Sequence, residues 1–322
     1  MRTFGWPQQL NFVSIVETLR RGPHDPTFQL TADQLEGDTV WRAAHTPNGP
    51  VLQQLVLRAG IVTSRCWGPG AVWMSHRTED LLGLNDDSTA FERLSAVAAR
   101  LTAEPPGDSP VGVPEILDLW RLHGACWRVP KAHNVWESVV GAVLEQKVTG
   151  LEARRAWIAL AQQYGRPPPG PAPDGLRLLP GPLELRQVPS WWWRSWAVDR
   201  PRSDTLMRLS HLGHVLYRLP NDTASDARRK LTSIAGIGDW TYAEVAQRAL
   251  GDPDAVSFGD FHLAGQVVFA LTGEFGGTDE QMGHLLEPFT GQRYRVVRMI
   301  ELAGVRAPRR GPRMDIPPHR YG

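Results

Sequence analysis

The sequence predicts an α+β N-terminal domain, in which helices pack on a small antiparallel sheet, followed by an all-α domain. The chain has 322 residues, a length at which two packed units are expected. Short β-prone runs are confined to its first third, whereas apolar residues recur at helical spacing in much of the remainder. A proline- and glycine-rich connector, Glu104–Pro114, separates the two patterns. We therefore expect one domain over residues 1–112 and a second over residues 113–322.

The N-terminal domain has the pattern of an antiparallel meander. Three β-prone runs, Thr39–His45, Val51–Arg58 and Ile61–Cys66, follow one another along the chain. The connections between them, Thr46–Gly49 and Ala59-Gly60, consist of residue types that favour tight turns. A helical pattern over residues 87–103 follows the predicted strands.

The second domain contains two predicted helices separated by a short break. Asn134–Glu145 carries apolar residues at i and i+4, which predicts a helix with one broad buried face. Thr149 and Glu152 form the T-x-x-E pattern of a capping box, and the helix that they begin is predicted to end at Gly165. Gln146–Val148 is the break between the two helices.

The remainder of the second domain is predicted to contain further helices after a proline-rich segment. Residues 166–190 include eight prolines, too many for a helix, and indicate an extended surface segment. Glycine- or proline-bearing turns then separate the predicted helices Asp204–Leu219, Ala224–Ile234, Thr241–Leu250 and Phe261–Leu271.

Composition narrows the class of protein. Hydrophobic residues make up 42% of the chain, enough for a normal core, and no apolar stretch is long enough to cross a membrane. Cys66 and Cys126 are too few for a disulfide framework and lack the spacing of a structural zinc or iron–sulfur site. Neither a metal nor an organic cofactor is expected. Without a secretory signal at its start, the chain is expected to be a cytoplasmic protein. We also expect a monomer.

Charge is distributed unevenly along the chain. The total is close to neutral, with 35 Lys and Arg against 34 Asp and Glu. Residues 293–322 nevertheless hold eight arginines and two acidic residues, a local balance of +6. The arginines are Arg293, Arg295, Arg298, Arg306, Arg309, Arg310, Arg313 and Arg320. A basic surface concentrated at one end is typical of a protein that binds phosphate groups.

A glycine-containing turn between two helices is the first candidate binding feature. The stretch Leu231–Thr241 reads as the end of a helix, then Gly236-Ile237-Gly238, then the start of another helix. Two glycines at i and i+2 leave backbone N–H groups unobstructed, and the following helix directs its positive end the same way. This arrangement suits a phosphate, although an ordinary corner between helices has the same pattern.

The second candidate feature is a carboxylate at a helix start. Asp260 follows Gly238 by 22 residues and precedes an apolar helical run. An aspartate at this position is often a helix N-cap.

Together these motifs resemble the helix-hairpin-helix, glycine/proline-rich, aspartate superfamily of DNA glycosylases. The resemblance is greatest to its bacterial inducible 3-methyladenine glycosylase II branch. It extends from about Pro114 to Arg310 and rests on "AVLEQKVTG", "LTSIAGIGDWT", "DAVSFGDFHL" and "QRYRVVRMIELAG", in that order. The N-terminal meander also matches that branch, whose additional domain is a curved antiparallel sheet.

The resemblance implies a catalytic residue and a base pocket. It assigns to Asp260 the stabilisation of an oxocarbenium-like sugar during hydrolysis of an N-glycosidic bond. Relatives with strand-nicking lyase activity have a lysine where this chain has Trp240, so no lyase activity is expected. Trp240 would stack on a flipped base. Glu244, one turn later, would make the pocket more polar and could accept a hydrogen bond from the base. A core tryptophan and a solvated surface glutamate are the alternatives.

The resemblance also implies contacts with DNA. Gln146 and Lys147 occupy the place where related enzymes insert a side chain into the gap left by the flipped nucleotide, and His262 completes a D-x-H pattern. The alternatives are an exposed interhelical loop, a structural histidine and solvated surface arginines. The expected DNA-contact residues are Gly236, Ile237, Gly238, Thr241, Gln146, Lys147, His262, Arg202, Ser203, Arg293 and Arg295.

Four tryptophans are clustered after the proline-rich segment. The pattern favours core packing, and base stacking is the alternative; the residues are Trp191, Trp192, Trp193 and Trp196.

The predicted function is therefore that of a monofunctional glycosylase acting on double-stranded DNA that contains a modified base. Alkylated purines of the 3-methyladenine type, removed in base excision repair, are the expected substrates. Excision of a different base, such as a hypermodified base of phage DNA in antiviral defence, is one alternative. A non-catalytic helix-hairpin-helix module that only binds DNA is another, and Asp260 distinguishes the two classes because simple binding requires no carboxylate there.

Overall fold

The structure is a computed structural model that describes residues 1–32, 37–93 and 125–306. The connector Glu104–Pro114 and the predicted boundary at residue 112 lie outside these ranges. So do the last ten residues of the predicted helix 87–103 and four arginines of the basic end, Arg309, Arg310, Arg313 and Arg320.

The N-terminal part contains a five-stranded antiparallel sheet with the strand order β1-β5-β4-β3-β2. Its strands are β1 (Arg2–Gly5), β2 (Phe28–Thr31), β3 (Asp38–Thr46), β4 (Gly49–Arg58) and β5 (Ile61–Trp67). Thr46 pairs with Gly49 and Arg58 with Ile61, so both predicted turns close adjacent strands. The predicted meander β3-β4-β5 is confirmed. The two short strands at the edges were not predicted.

Helices make up most of the described remainder. The α-helices assigned are α1 (Phe12–Val16), α2 (Ala71–Ser75), α3 (Thr78–Leu81), α4 (Val135–Glu145), α5 (Gly150–Tyr164), α6 (Pro182–Leu185), α7 (Ser190–Ser195), α8 (Arg200–His211), α9 (Gly213–Leu216), α10 (Ala224–Thr232), α11 (Asp239–Val245), α12 (Leu263–Thr272), α13 (Asp279–Leu286) and α14 (Arg293–Leu302). Short 3-10 turns occupy Glu17–Leu19, Leu219–Asn221 and Glu287–Phe289, and a π turn occupies Ala246–Leu250. Residues 89–93 are also helical. An α+β part is thus followed by a helical part, as the sequence predicts.

The helices around the predicted break agree closely with the sequence. Helix α4 ends at Glu145, and α5 begins after the N-cap Thr149. The Thr149 side chain accepts from the backbone N–H of Glu152, and the Glu152 carboxylate accepts from the backbone N–H of Thr149. Both halves of the predicted capping box are therefore present.

The four helices predicted after the proline-rich segment have different bounds in the structure, and Ala224–Ile234 ends at Thr232. Helix α8 begins at Arg200, because Asp199 caps it and Pro201 is tolerated in the first turn, and it ends at His211 rather than at Leu219. Helix α11 begins at Asp239 and continues into the π turn, which ends at Gly251 with φ +67°. The predicted helix Phe261–Leu271 begins at Leu263.

The hydrophobic cores do not divide the chain at the predicted boundary. One core joins the sheet residues Val40, Leu55 and Val62 to Trp127 and Tyr294, which belong to the predicted second domain. Another packs helices α12 to α14 around Phe91, which belongs to the predicted first domain.

The largest core lies within the helical part. It contains Val139, Trp136, Trp157 and Trp192, together with Ile237 of the glycine turn. This core supports the glycine turn, because α4 and α11 both contribute to it. In the residues that the structure describes, no helix is long and apolar enough to span a membrane.

Candidate active site

The glycine turn connects α10 and α11 with its two glycines exposed and its central residue buried. Gly236 has φ +95°, a conformation that strongly favours glycine, whereas Gly238 is extended and forms the N-cap of α11. Ile237 between them is 5% exposed and packs into the large helical core. The turn is thereby anchored by one side chain while the glycine backbone faces outward.

A single glutamine joins this turn to the end of α4. Gln146 Nε2 donates to the Gly236 carbonyl oxygen at 2.9 Å and to Thr241 Oγ1 at 2.8 Å. Thr241 is buried, so its hydroxyl faces this internal contact rather than the exterior. The side chains of Gln146 and Thr241 therefore stabilise the position of the turn in this structure. Nothing in the sequence indicates this contact, which spans 90 and 95 positions.

Lys147 is exposed at the break between α4 and α5. Its φ of +54° places it in the left-handed region, which a residue with a Cβ rarely adopts. The backbone geometry that turns the chain from α4 into α5 leaves this ammonium group facing outward.

Asp260 caps helix α12 with one of its two carboxylate oxygens. Oδ1 accepts from the backbone N–H of His262 at 2.8 Å and of Leu263 at 2.9 Å. Among the described residues, no donor bonds to Oδ2, and the side chain is half-buried. Asp260 therefore accepts N–H groups at the start of α12 from two positions before its N-cap residue, His262, and one carboxylate oxygen stays available to another group.

The loop that carries Asp260 is held by hydrogen bonds on both sides. Ser257 Oγ donates to Glu244 Oε1 at 2.5 Å, and the Ser257 carbonyl accepts from the backbone N–H of Asp260 at 3.2 Å. Gln247 Nε2 donates to Ser257 Oγ at 3.0 Å. On the other side, Asp279 Oδ2 accepts from the backbone N–H of Gly259 at 2.7 Å. These contacts fix the position of the carboxylate before any ligand binds.

Glu244 is a largely buried member of this network, so the alternative of a solvated surface glutamate is wrong. Its side chain is 13% exposed, and Oε2 accepts from Arg248 Nη1 at 2.6 Å. Burial acts to raise the pKa of Glu244, but the charge of Arg248 and the hydrogen bonds from Ser257 and Arg248 hold this pKa below its ordinary value. Glu244 is consequently an anion near neutral pH.

Trp240 lies in the first turn of α11, half-buried against the helical core. Its ring is thus partly packed and partly accessible. Of the tryptophan cluster, Trp192 and Trp193 are buried and Trp196 packs against the same core, which confirms the packing interpretation for these three. Trp191 is exposed.

Two of the arginines expected to bind phosphate are buried, and those expectations are wrong. Arg202 donates to the Leu144 carbonyl at 2.9 Å and the Ala197 carbonyl at 2.7 Å, so it satisfies backbone oxygens that would otherwise be unpaired. Arg295 is fully buried and forms an ion pair with Asp86 at 2.7 Å. Burial of both guanidinium groups excludes direct contact with DNA in this conformation.

Three other expected contacts lie nearer the surface. Arg293 is partly exposed and paired with Asp254, which raises its pKa through hydrogen bonding. Ser203 is half-buried and donates to the Arg200 carbonyl. His262 is exposed directly beside Asp260.

One cation that the sequence did not predict as a DNA contact lies next to the glycine turn. Arg208 is exposed on α8, and its Nη1 donates to the Ala235 carbonyl at 2.8 Å, immediately before Gly236. The contact spans 27 positions and has no local sequence signal. Arg208 adds positive charge at the outward-facing backbone of the turn.

Alanine at the two glycines should have different effects on folding. At Gly236, an added Cβ would lie 2.0 Å from Oγ1 of the buried Thr205, and φ is +95°. We expect Gly236→Ala to lower the free energy of unfolding by about 1–3 kcal/mol. At Gly238, no atom lies within 4 Å of an added Cβ and φ is −101°, so Gly238→Ala should change it by less than about 1 kcal/mol. Urea denaturation of both variants checks this difference, and equal losses would contradict it.

Comparison with solved structures identifies the fold. The chain is similar to 3-methyladenine DNA glycosylase from Archaeoglobus fulgidus, with a TM-score of 0.69, 16% identity, and coverage of 94% of this chain and 97% of that one. It is also similar to the 8-oxoguanine glycosylase/lyase of Clostridium acetobutylicum bound to DNA, with a TM-score of 0.55, 9% identity, and coverage of 86% and 99%. A third similar structure is MBOgg1 with a low-affinity DNA ligand, at a TM-score of 0.54, 15% identity, and coverage of 86% and 99%.

At these identities the similarity concerns the fold. No protein-family model matches the chain, and no curated protein sequence matches it significantly. The match to the Archaeoglobus fulgidus structure nevertheless covers 94% of this chain. The chain therefore has the fold of the DNA glycosylases that its helix-hairpin-helix and aspartate motifs resemble.

Proposed function

We propose that this protein is a DNA glycosylase that flips a modified base out of duplex DNA and hydrolyses its N-glycosidic bond. The observation that carries the proposal is the state of Asp260. One carboxylate oxygen is fixed by two backbone N–H groups, and the other has no hydrogen bond from the described residues. This arrangement, in a chain with the fold of DNA glycosylases, suits a residue that holds negative charge beside a reacting sugar.

The proposed chemistry requires little from the protein beyond charge and position. The bond between C1′ and the base nitrogen breaks, and its electron pair leaves with the base. Positive charge then develops on the sugar, where the free oxygen of Asp260 stabilises it. A water molecule attacks C1′ and loses its proton to the carboxylate or to solvent, so that the products are a free base and an abasic site.

Alkylated purines are the proposed substrates. Such bases are often cationic and leave without acid catalysis, so the proposed mechanism needs no general acid. Trp240 offers an aromatic surface for stacking on the flipped base. The Glu244 carboxylate retains acceptor sites beyond its two hydrogen bonds, so it can accept from an exocyclic amine or a protonated ring nitrogen. The similar structure from A. fulgidus is that of a 3-methyladenine DNA glycosylase.

The proposal includes the absence of lyase activity. A lyase needs an amine that attacks C1′ and forms a Schiff base. Trp240 stands where lyase relatives have their lysine, and its indole nitrogen is not a nucleophile of this kind.

The experiment that tests the proposed function is a product analysis on defined duplexes. Each duplex carries one modified base, the freed base is detected by mass spectrometry, and strand cleavage is followed on gels with and without borohydride. We expect free base, intact strands and no covalent adduct. If none of the alkylated-purine duplexes releases a base, the proposed substrate class is wrong. A borohydride-trapped adduct would contradict the monofunctional mechanism.

Duplex DNA is the proposed partner, held by contacts that do not read sequence. The outward backbone at Gly236 and Gly238, with the nearby Arg208, offers N–H groups and positive charge to one phosphate. Lys147 and His262 are exposed cationic or polar candidates for further phosphate contacts, and Arg293, which is partly exposed, is another.

Salt dependence should reveal the phosphate contact of Lys147. Each phosphate neutralised by a protein contributes about −0.9 to the slope of log K against log salt. We expect Lys147→Gln to flatten that slope by about 0.9, measured by fluorescence anisotropy with a labelled duplex. Arg65→Gln, which removes an exposed cation of strand β5, is the control and should leave the slope unchanged. An unchanged slope for Lys147→Gln would exclude this contact.

A further inference from the structure

Phe261, the residue that follows Asp260, is the most exposed large hydrophobic side chain in the described part of the chain. It is 91% exposed, whereas most other aromatic side chains of the helical part are buried or half-buried. A single exposed apolar residue is common on protein surfaces. The place of this one is unusual, because the ring extends into solvent beside the carboxylate that the proposed reaction requires.

The exposure of Phe261 does not come from a loose loop. On its N-terminal side, Gly259 donates to Asp279, and on its C-terminal side His262 and Leu263 donate to Asp260 Oδ1. The Phe261 ring also meets the His262 ring edge to face, with centroids 4.9 Å apart. The fold therefore holds the backbone on both sides of Phe261, and its apolar ring extends into water next to Asp260 in the sequence.

We infer that the Phe261 ring packs against the deoxyribose of the extrahelical nucleotide, an inference that rests on the proposed function. For Asp260 to act, its free oxygen must lie near C1′ of that sugar. The adjacent residue then faces the same sugar, whose carbon face is apolar. Packing the ring on this face removes both surfaces from water and positions C1′ relative to the carboxylate.

Other side chains near the turn do not offer such a contact. Gln146 is engaged with Gly236 and Thr241, Lys147 and Arg208 are cations, and Trp240 is partly packed against the core. Among these residues, Phe261 alone presents an accessible apolar ring next to Asp260. It thus acts as a positioning residue for the sugar, distinct from the proposed base-stacking residue Trp240.

The test compares binding to two duplexes of the same sequence. One is intact, and the other contains a tetrahydrofuran abasic analogue, which retains the sugar ring without a base. Burying a phenylalanine side chain corresponds to about a 10- to 100-fold change in affinity. We expect Phe261→Ala to weaken binding to the abasic-analogue duplex by that factor and binding to the intact duplex by less than about twofold. Phe261→Leu, which keeps an apolar side chain, should recover much of the loss.

Phe275→Ala is the matched control. Phe275 is 46% exposed and packs against Phe269, and we assign it no contact with DNA. This variant should bind both duplexes like the wild type. Thermal melting checks folding, and the high exposure of Phe261 predicts an unchanged melting temperature for its variants.

The outcomes separate this inference from the proposed function. Unchanged binding of Phe261→Ala to the abasic-analogue duplex, or equal losses on both duplexes, would overturn the inference while base release by the wild type still supports the function. Loss of binding in Phe261→Leu as large as in Phe261→Ala would also count against the apolar contact. Absence of base release by the wild type would instead contradict the proposed function, whatever the Phe261 variants bind.

Discussion

Asp260→Asn should reduce the single-turnover rate of base release by about 100-fold or more, the scale seen when a preorganised electrostatic group is removed from an active site. The amide keeps the shape of the side chain, and its carbonyl oxygen can still accept from the N–H groups of His262 and Leu263. The cap of α12 and the loop should thus persist, and the missing element is the negative charge. Rapid-quench measurement with enzyme in excess over a modified duplex gives the rate.

A second carboxylate on the same loop provides the control. Asp279 accepts from the backbone N–H of Gly259 at 2.7 Å, and Asp279→Asn makes the same chemical change one contact away from the proposed reaction. We expect this variant to release base within about fivefold of the wild-type rate, since its role is to hold the loop. Base release by Asp260→Asn at the wild-type rate would remove Asp260 from the mechanism and favour a module that only binds DNA.

Binding by Asp260→Asn separates recognition from chemistry. The substitution leaves the glycine turn, Lys147 and Phe261 unchanged. Affinity for an abasic-analogue duplex should therefore be retained. A variant that binds but does not release base would place the defect in the chemical step.

Local features of the site could be predicted from sequence because adjacent residues determine them. The capping box depends on Thr149 and Glu152, three positions apart, and the cap by Asp260 depends on the two residues after Phe261. The glycine turn likewise follows from the conformational needs of a few residues.

Long-range contacts could not be predicted in this way. Gln146 meets Gly236 across 90 positions, and Arg295 meets Asp86 across 209. The edge strands β1 and β2 have four residues each and depend on neighbouring strands for their hydrogen bonds. Whether a polar side chain faces DNA or the interior is decided by tertiary packing, which a local pattern does not contain.

The basic C-terminal end illustrates the difference. Its arginines predict an exposed positive surface, yet Arg293, Arg295 and Arg298 are paired with Asp254, Asp86 and Glu301. Much of the charge of α14 is therefore balanced by carboxylates from elsewhere in the fold or from the same helix. The local charge balance alone therefore overestimates the number of arginines of α14 that are free to bind a phosphate.

The ion pair of Arg295 with Asp86 leads to the largest expected effect on stability. Arg295 is fully buried and Asp86 is 9% exposed, with Arg295 Nη2 at 2.7 Å from Asp86 Oδ1. Asp86 Oδ2 also accepts from the backbone N–H of Val129. Asp86→Ala would leave a guanidinium charge buried without its counter-ion and an amide without its acceptor. We expect the free energy of unfolding to fall by about 3–5 kcal/mol, measured by urea denaturation.

An exposed ion pair on the same helix is the appropriate comparison. Arg298 pairs with Glu301 three residues later, and the two side chains are 22% and 38% exposed. Water and salt screen such a pair, so Glu301→Ala should lower the free energy of unfolding by no more than about 1 kcal/mol. If Arg295 were instead a DNA contact with an incidental partner, the two substitutions would have similar effects on stability, and Asp86→Ala would leave a free cation that strengthens DNA binding. A large loss for Asp86→Ala alone means that Arg295 joins the C-terminal helix to the N-terminal part of the chain.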